Sequence, residues 1–229
     1  MPAVRRHTFI KLAREKDCLI IEDDYDSEFR FVGKPISTMA SLDGERVIYM
    51  NTFSRTLSPS IRIAYMVLPD RLMAEYRRRL GFYSCTVSGM EQYTLAKFIS
   101  DGYYERHLSR MRNAYRSRRD TILSAIRRSK LAGHVTIKEE NAGLHFILRI
   151  NSALDDEAYA AALLSRGIRI APLSDYCRLP QKAYRHEFII SYSQLDAAAL
   201  EKALEIMAEL ITVSQSGYSG NGKDVRREE

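Results

Sequence analysis

The sequence predicts an α/β domain followed by a smaller α+β domain. Two observations lead to this prediction. In the first hundred residues, short continuous apolar runs alternate with helix-like segments, as in a sheet whose strands pack against helices. After Gly133, apolar and polar residues alternate along two consecutive segments, which is typical of antiparallel strands. The composition, 45% apolar and 28% charged residues, excludes collagen-like and mostly disordered chains.

The first part begins with a helix and contains three strands. The apolar run 18–21 lies between charged residues, as in a strand buried on both faces. Two more apolar runs, separated by a polar loop, predict the other strands, and Gly81, Gly89 and Gly102 mark the ends of helices. The predicted helices are 3–16, 71–80, 90–100 and 103–130, and the predicted strands are 18–21, 46–50 and 62–68.

The second part is predicted to contain a hairpin, a helix, two further strands and a final helix. Gly167 follows the first of these helices, in the position that favours glycine at a helix C-terminus. The predicted strands are 135–138, 144–150, 168–171 and 188–192, and the predicted helices are 155–166 and 196–212.

The net charge of +6 is concentrated in one segment. Residues 104–130 carry nine basic and two acidic side chains, a local excess of +7. Such a helix could follow the phosphates of a nucleic acid. It also contains apolar residues at heptad-like spacing, so we favour a long helix with one buried stripe and one solvated basic face. The predicted stripe consists of Leu108, Met111, Tyr115, Ile122 and Ala125.

The cysteine count and the lengths of the apolar runs indicate a cytoplasmic protein. Three widely spaced cysteines do not predict a disulfide framework. No apolar run approaches the ~20 residues that span a bilayer. The basic N-terminus lacks the apolar segment of a secretory signal.

Two polar clusters directly follow two of the predicted strands. Residues 22–28 supply carboxylates and the phenol of Tyr25, and residues 51–58 supply hydroxyls, backbone amides and Arg55, with Arg62 nearby. Ligands of open α/β sheets bind at the carboxyl ends of the strands, so both clusters are expected at one crevice. A ligand with a cationic ring at one end and a phosphate at the other would suit them.

Two simpler interpretations compete with a ligand site. From spacing alone, Asp23 reads as a carboxylate that stabilises a turn at a strand end. A hard-metal site from Asp23, Asp24 and Asp26 is weaker, because neighbouring strand residues point to opposite faces and cannot easily share one ion. The five histidines lack metal-ligand spacing, so no metal site is predicted.

Four separated motifs occur in the order in which one protein family has them, and the resemblance extends over residues 2–212. The sequence resembles the aminotransferase-like domain of MocR-type transcriptional regulators of the GntR superfamily. The resemblance implies a fold-type-I pyridoxal-phosphate-dependent transferase fold, a homodimer, an amino-acid-like effector, and DNA binding only through a separate winged-helix domain. The motifs are EDDYDSEFRF (22–31), RVIYMNTFSRTLSPSIRIAYMVLP (46–69), EQYTLAKFISDGYYERHLSRMRNAYRSRRD (91–120) and AGLHFILRI (142–150).

The resemblance also implies a domain organisation. Residues 1–102 would be part of the large coenzyme-binding domain, 103–132 a connecting long helix, 133–213 the small domain, and 214–229 a disordered tail rich in Ser, Gly and charge. The winged-helix domain and the front of the large domain have no counterpart in these 229 residues. We therefore expect a truncated domain whose incomplete sheet exposes backbone groups and an apolar face.

The resemblance implies cofactor-binding roles for five residues toward pyridoxal 5'-phosphate. Asp23 would face the pyridine nitrogen and keep it protonated, and Tyr25 would hydrogen-bond the ring oxygen. Thr52 and Ser54 would donate to the phosphate, and Arg62 would pair with it.

An arginine, Arg55, stands where the family has its Schiff-base lysine: the family motif T-F-S-K reads T-F-S-R here. A guanidinium, with a pKa above about 12, stays charged and cannot be the amine nucleophile. We therefore predict no catalytic residue, and a coenzyme that is bound non-covalently or lost. Arg55 still offers positive charge to a phosphate or an aldehyde oxygen.

Three functions follow from these observations. The favoured one is an effector-sensing and dimerisation domain of a MocR-type regulator with degenerate catalysis. An active pyridoxal-phosphate-dependent aminotransferase subunit is the alternative, opposed by Arg55 and by the absence of a substrate-binding arginine in the strand 188–192. Nucleic-acid binding through the basic helix is the third, and no helix-turn-helix signature supports it.

Overall fold

The computed structural model describes residues 1, 3–33, 36–178, 184–193 and 197–218. The chain divides into two compact units, unit 1 (Met1–Arg112) and unit 2 (Asn113–Glu229). The division falls inside the long helix, whereas the sequence placed domain boundaries at its two ends. In the described ranges, no helix is both long and apolar enough to cross a membrane.

Unit 1 contains a three-stranded sheet and most of the short helices. Strand β1 is parallel to β2, and β2 is antiparallel to β3, so β1 and β3 are the outer strands. Asp23 is in register with Met50, and Thr52 with Ala64. The elements are α1 (Ala3–Glu15), β1 (Ile20–Asp23), α2 (Met39–Leu42), β2 (Val47–Thr52), α3 (Phe53–Thr56), β3 (Ala64–Val67), α4 (Asp70–Leu80), α5 (Gly89–Ser100) and the start of α6 (Tyr103–Arg128).

One face of this sheet has a small core. Ile10 of α1, Met39 of α2 and Val47 of β2 form a buried cluster. The carboxylate of Glu22 is buried beside it, where it accepts hydrogen bonds from the backbone N–H of Met39 at 2.9 Å and pairs with Arg6 at 3.0 Å. A buried carboxylate is tolerated because its oxygens have partners. Glu22, part of the predicted polar cluster, thus has a structural role.

Unit 2 is an antiparallel sheet of order β4-β5-β7-β6 with its own buried core. Side chains of β5 point alternately to the two faces of the sheet, and Phe146, Leu148 and Ile150 are buried on one of them. Asp155 is the N-cap of α7, and its carboxylate accepts a 2.8 Å hydrogen bond from the N–H of Ala158. The elements are β4 (Val135–Lys138), β5 (His145–Ile150), α7 (Asp156–Leu164), β6 (Ala171–Pro172), β7 (Glu187–Ser191) and α8 (Ala197–Tyr218), with 3₁₀ turns at Ala132–His134 and Leu173–Tyr176.

Several sequence predictions need correction. The strand expected at 168–171 is only Ala171–Pro172, because residues after the left-handed Gly167 (φ 81°) turn back toward the helix end. The final helix continues to Tyr218, past the start of the tail predicted at 214–229, and residues 219–229 lie outside the described residues. Helices α2 and α3 were not predicted, since single turns leave no periodic pattern.

The long helix α6 largely has the predicted two faces. Leu108 and Ile122 of the predicted stripe are buried, and Leu123 and Ile126 are buried as well. One basic residue, Arg119, is also buried rather than solvated. It donates to the carboxylate of Asp120 and to the carbonyl oxygen of Glu140 at 3.1 Å. The stripe is wider than the heptad pattern indicated.

Candidate cofactor site

Two of the predicted residues end adjacent strands on the same sheet face. Asp23 ends β1 and is in register with Met50, two residues before Thr52 at the end of β2. With strands about 4.8 Å apart and a rise of about 3.3 Å per residue, the Cα atoms of Asp23 and Thr52 are roughly 8 Å apart. Asp23 is exposed, and its carboxylate accepts no hydrogen bond within the described ranges. It is therefore available to a ligand.

The loop after β1 is tied to β2 by a polar network on the opposite face. Asp24 accepts hydrogen bonds from the Tyr49 hydroxyl at 2.9 Å and the Ser27 hydroxyl at 2.8 Å. The amide nitrogen of Asn51 donates to Glu28 Oε1 at 3.0 Å and to the Tyr49 hydroxyl oxygen at 2.9 Å. Burial raises the pKa of Glu28 and that of Tyr49. The network holds the loop that follows Asp23 and carries Tyr25.

Sequence reasoning missed this network. Asn51 directly follows the apolar run of β2 and is buried, and an amide buried at this point needs hydrogen-bond partners, which is the signal that could have found the network. The structure also separates neighbouring carboxylates: Asp24 is bonded to Tyr49, while Asp23 faces solvent. Among the residues that the structure describes, no group of three His, Cys, Asp or Glu side chains is placed to hold a metal ion.

Tyr25 and Arg55 lie next to each other. The guanidinium carbon of Arg55 is 5.9 Å from the centroid of the Tyr25 ring, within range of a cation–π interaction. The negative charge of Asp26, followed by partial burial, raises the pKa of Tyr25, while Arg55 opposes the shift. The phenol therefore carries its proton at neutral pH and can donate a hydrogen bond. Asp23 is among the charges that Tyr25 senses, so these three residues share one site.

Thr52 starts the single turn α3. Its hydroxyl oxygen accepts a hydrogen bond from the N–H of Ser54 at 3.1 Å, and its proton is donated to the carbonyl oxygen of Ile63 at 3.1 Å. A hydroxyl has one proton to donate, so Thr52 would have to exchange this bond to donate to a phosphate. The Ser54 hydroxyl makes no hydrogen bond with the part of the chain that the structure describes, and it is free to donate.

Arg62 has an unusual backbone conformation. Its φ is 49°, in the left-handed region that favours glycine, and its side chain is exposed. The next residue, Ile63, accepts hydrogen bonds from Phe53 and Thr52, so Arg62 is held beside α3. An arginine in this conformation costs about 1 kcal/mol or more relative to glycine.

The site fits a coenzyme with a cationic ring and a phosphate, but not a covalent attachment. An unpaired carboxylate, a protonated phenol, a free hydroxyl and two guanidinium groups come from the ends of β1 and β2 and the loop before β3. Anions favour arginine, and a protonated pyridine nitrogen favours a carboxylate. No described residue of the site supplies a primary amine, because Arg55 occupies the family's lysine position.

Comparisons with solved structures show the fold. The chain matches the multiple substrate aminotransferase of Thermococcus profundus with a TM-score of 0.77 and 23% identity, covering 95% of this chain and 53% of that one. It matches the aminotransferase Aro8 of Candida albicans with a TM-score of 0.79 and 18% identity, covering 94% and 54%. The fold is therefore that of the fold-type-I aminotransferases, as predicted.

Comparisons with curated proteins show the sequence relatives. The chain is 42% identical over 171 residues to the HTH-type transcriptional regulator YdeL of Bacillus subtilis, and 35% identical over 216 residues to the probable rhizopine catabolism regulatory protein MocR of Rhizobium meliloti. These matches cover 74% and 93% of the chain but 37% and 43% of the relatives. The predicted resemblance to the C-terminal portion of MocR-type regulators is confirmed. No family model matches the chain.

Proposed function

We propose that this chain is the coenzyme-binding, effector-sensing and dimerising part of a MocR/GntR-type transcriptional regulator, and that it does not catalyse transamination. The observation that carries this proposal is the presence of the polar residues to which the family resemblance assigns coenzyme binding, together with Arg55 in place of the lysine. A regulator can sense a ligand without turning it over, whereas an aminotransferase needs the amine. The proposal places the protein in the cytoplasm, with DNA contacts made through a winged-helix domain.

Each residue of the site would bind a different part of the coenzyme. Asp23 would accept a hydrogen bond from the protonated ring nitrogen, and Tyr25 would donate to the ring oxygen. Ser54 and Arg62 would bind the phosphate, with Thr52 joining after release of the Ile63 carbonyl. When bound, pyridoxal 5'-phosphate supplies an aldehyde that can distinguish small molecules bearing a primary amine. That chemistry fits an amino-acid-like effector.

Arg55 would bind rather than react. Its charge lies beside the phenol of Tyr25, where it lowers the free energy of any anionic group that enters the site. The aminotransferases among the structural neighbours favour the alternative, an active aminotransferase subunit. Their identity to this chain is below 25%, and so this likeness extends to the fold and not to the reaction.

The test is a comparison of reversible and covalent binding. Pyridoxal 5'-phosphate is added to the purified chain, and binding is followed by equilibrium dialysis and absorbance. Borohydride is then added and the labelled peptides are mapped. We expect saturable binding that dialysis removes, and no label within residues 53–56. A covalent label there, or the absence of saturable binding, would overturn the proposal.

The variant Arg55→Lys gives the positive control for covalent chemistry. It restores a primary amine, so we expect a label at residue 55 after reduction. The matched control is Arg78→Lys in α4, an equally conservative change on an exposed arginine outside the site. It reports the background labelling of surface lysines.

A further inference from the structure

Helix α6 presents a row of three side chains to the rest of unit 1. Tyr104, Leu108 and Arg112 are spaced four residues apart, so they follow one another along one side of the helix. Leu108 is buried, and Tyr104 and Arg112 are half-buried. Glu105 and Ser109, which come next in the sequence, are exposed. We call Tyr104, Leu108 and Arg112 the α6 ridge.

The first residue of the α6 ridge holds α3, the single turn that carries Ser54 and Arg55. The Tyr104 hydroxyl donates a hydrogen bond to Thr56 Oγ1 at 3.1 Å, and the Thr56 side chain is fully buried. Burial raises the pKa of the Tyr104 phenol, so it keeps the proton that it donates. The Tyr104 ring also meets the Phe53 ring edge-on, with 5.8 Å between the centroids. Phe53 and Thr56 are the first and last residues of α3, so Tyr104 contacts the turn at both ends.

The last residue of the α6 ridge holds the loop after β1. Arg112 Nε donates a 2.7 Å hydrogen bond to the backbone carbonyl oxygen of Glu28. A hydrogen bond from a charged donor is stronger than one between neutral groups. Glu28 ends the polar segment 22–28, which contains Tyr25. One side of α6 is therefore bonded to both of the polar segments that form the candidate site.

Both segments need such support. α3 has only four residues, and a single helical turn is unstable by itself because helix nucleation is unfavourable. Residues 24–28 contain neither helix nor strand. Each segment keeps its shape through contacts with neighbouring elements, and α6 supplies one of these contacts to each.

We propose that Tyr104 and Arg112 are positioning residues of the coenzyme site. Tyr104 fixes the turn that presents Ser54 to the phosphate, and Arg112 fixes the loop that presents Tyr25 to the ring. Groups that are held in place before binding lose less conformational freedom when the ligand arrives, so affinity rises. This inference rests on the proposed function, in which these two segments bind opposite ends of pyridoxal 5'-phosphate.

The first measurement is hydrogen exchange of the whole chain without coenzyme. Tyr104→Phe removes the hydroxyl and keeps the ring, and Arg112→Met removes the guanidinium and keeps an unbranched side chain. We expect the N–H of Leu57, which is bonded to the Phe53 carbonyl oxygen, to exchange roughly fivefold faster in Tyr104→Phe, the effect of one lost hydrogen bond. The N–H of Phe29, bonded to the Asp26 carbonyl oxygen, should respond in the same way to Arg112→Met.

Each variant should affect its own segment and leave the other unchanged. The matched controls are Tyr103→Phe and Arg110→Met, which make the same chemical changes at exposed neighbours on α6. Neither control should alter exchange in either segment. A cycle of Tyr104→Phe and Thr56→Val, alone and combined, isolates the hydrogen bond, and the two changes should be non-additive.

The second measurement separates positioning from a general loss of stability. The wild type and both variants are titrated with pyridoxal 5'-phosphate and, in competition with it, with inorganic phosphate as a probe of the phosphate end alone. We expect Tyr104→Phe to weaken both ligands by roughly three- to tenfold. Arg112→Met should weaken pyridoxal 5'-phosphate by a similar factor and leave inorganic phosphate unchanged, because the loop contacts only the ring end.

The results that overturn the inference differ from those that overturn the proposed function. Unchanged exchange at both amides, wild-type affinity in both variants, or equal weakening of both ligands by both variants would remove the positioning role and leave coenzyme binding intact. A wild type that binds no pyridoxal 5'-phosphate would overturn the proposed function, and the positioning role would fail with it.

Discussion

Unit 1 and unit 2 bury their apolar side chains to different extents. In unit 2, the sheet and its helices share a core in which Phe146 is fully buried. In unit 1, helices α4 and α5 contain no buried residue, and Met90 and Tyr93 of α5 face solvent. Burial of apolar surface supplies most of the folding free energy, so unit 2 has what a domain needs by itself. Unit 1 holds the candidate site, and much of its apolar surface is exposed to water.

The contrast teaches where chemistry and stability reside in this chain. Asp23, Tyr25, Arg55 and Arg62 are all exposed, whereas catalytic and cofactor groups work best when water is excluded. The polar network around Asn51 keeps the loop after β1 in place although the site is exposed to water. The site is therefore prearranged but open.

The largest expected effect is on stability, and it distinguishes the buried core of unit 2 from the exposed sheet face of unit 1. Phe146→Ala in unit 2 should lower the free energy of unfolding by about 3–5 kcal/mol, because it leaves a cavity in a packed core. Ile21→Ala in unit 1 should cost less than about 1 kcal/mol, since the side chain is exposed. Urea unfolding followed by circular dichroism measures both. Equal costs would show that unit 1 buries Ile21 in solution.

The next effect concerns Arg62 and the coenzyme. Arg62→Ala should weaken pyridoxal 5'-phosphate binding roughly 10- to 100-fold, the value of one charge-assisted hydrogen bond of about 1.5–3 kcal/mol. Arg62→Gly should lose the same affinity but be more stable than Arg62→Ala by about 1 kcal/mol, because glycine adopts φ 49° without strain. Dialysis and thermal unfolding give the two readouts. Unchanged affinity in both variants would remove Arg62 from the site.

A smaller effect is expected within the core of unit 2. The buried hydroxyl of Tyr159 donates to the carbonyl oxygen of Met207 at 3.1 Å. Tyr159→Phe should therefore cost about 1 kcal/mol, because that carbonyl loses its partner. Tyr176→Phe is the control, since Tyr176 is exposed, and it should leave the urea midpoint unchanged. A neutral Tyr159→Phe would mean that water reaches Met207.

The smallest expected effect depends on pH and lies in unit 1. Burial raises the pKa of Glu28, so the folded chain holds this proton to higher pH than the unfolded chain does. The folded state therefore loses stability as pH rises above the ordinary glutamate value of 4.5. Glu28→Gln should be more stable than the wild type at pH 7, by about 0.5 kcal/mol after allowance for solvent screening.

The difference for Glu28→Gln should vanish near pH 4 and below, where both states hold the proton. Thermal melts at both pH values measure it. Glu105→Gln, which replaces an exposed carboxylate of α6 in the same unit, is the matched control. A wild type that is the more stable protein at pH 7 would mean that the ionised Glu28 has a partner for its second oxygen.

The sequence alone determined the fold class and the order of the main elements, and it supplied the residues that we propose for the site. Period-two and period-3.6 patterns depend only on which side chains avoid water, so β4, β5 and α6 could be predicted within a residue or two. The residue type of Arg55 is likewise sufficient to predict that no covalent imine forms at this position, because a guanidinium is not an amine nucleophile.

Only the tertiary structure decided which polar groups are free and which are occupied. Glu22 and Asp23 are neighbours in sequence, yet one is buried against Arg6 and the other faces solvent. The Thr52 hydroxyl is already bonded to Ile63, eleven residues further along the chain. Hydrogen bonds and exposure depend on which strands become neighbours. Strand pairing joins residues that are far apart in sequence, and no periodic pattern in the sequence predicts which residues will pair.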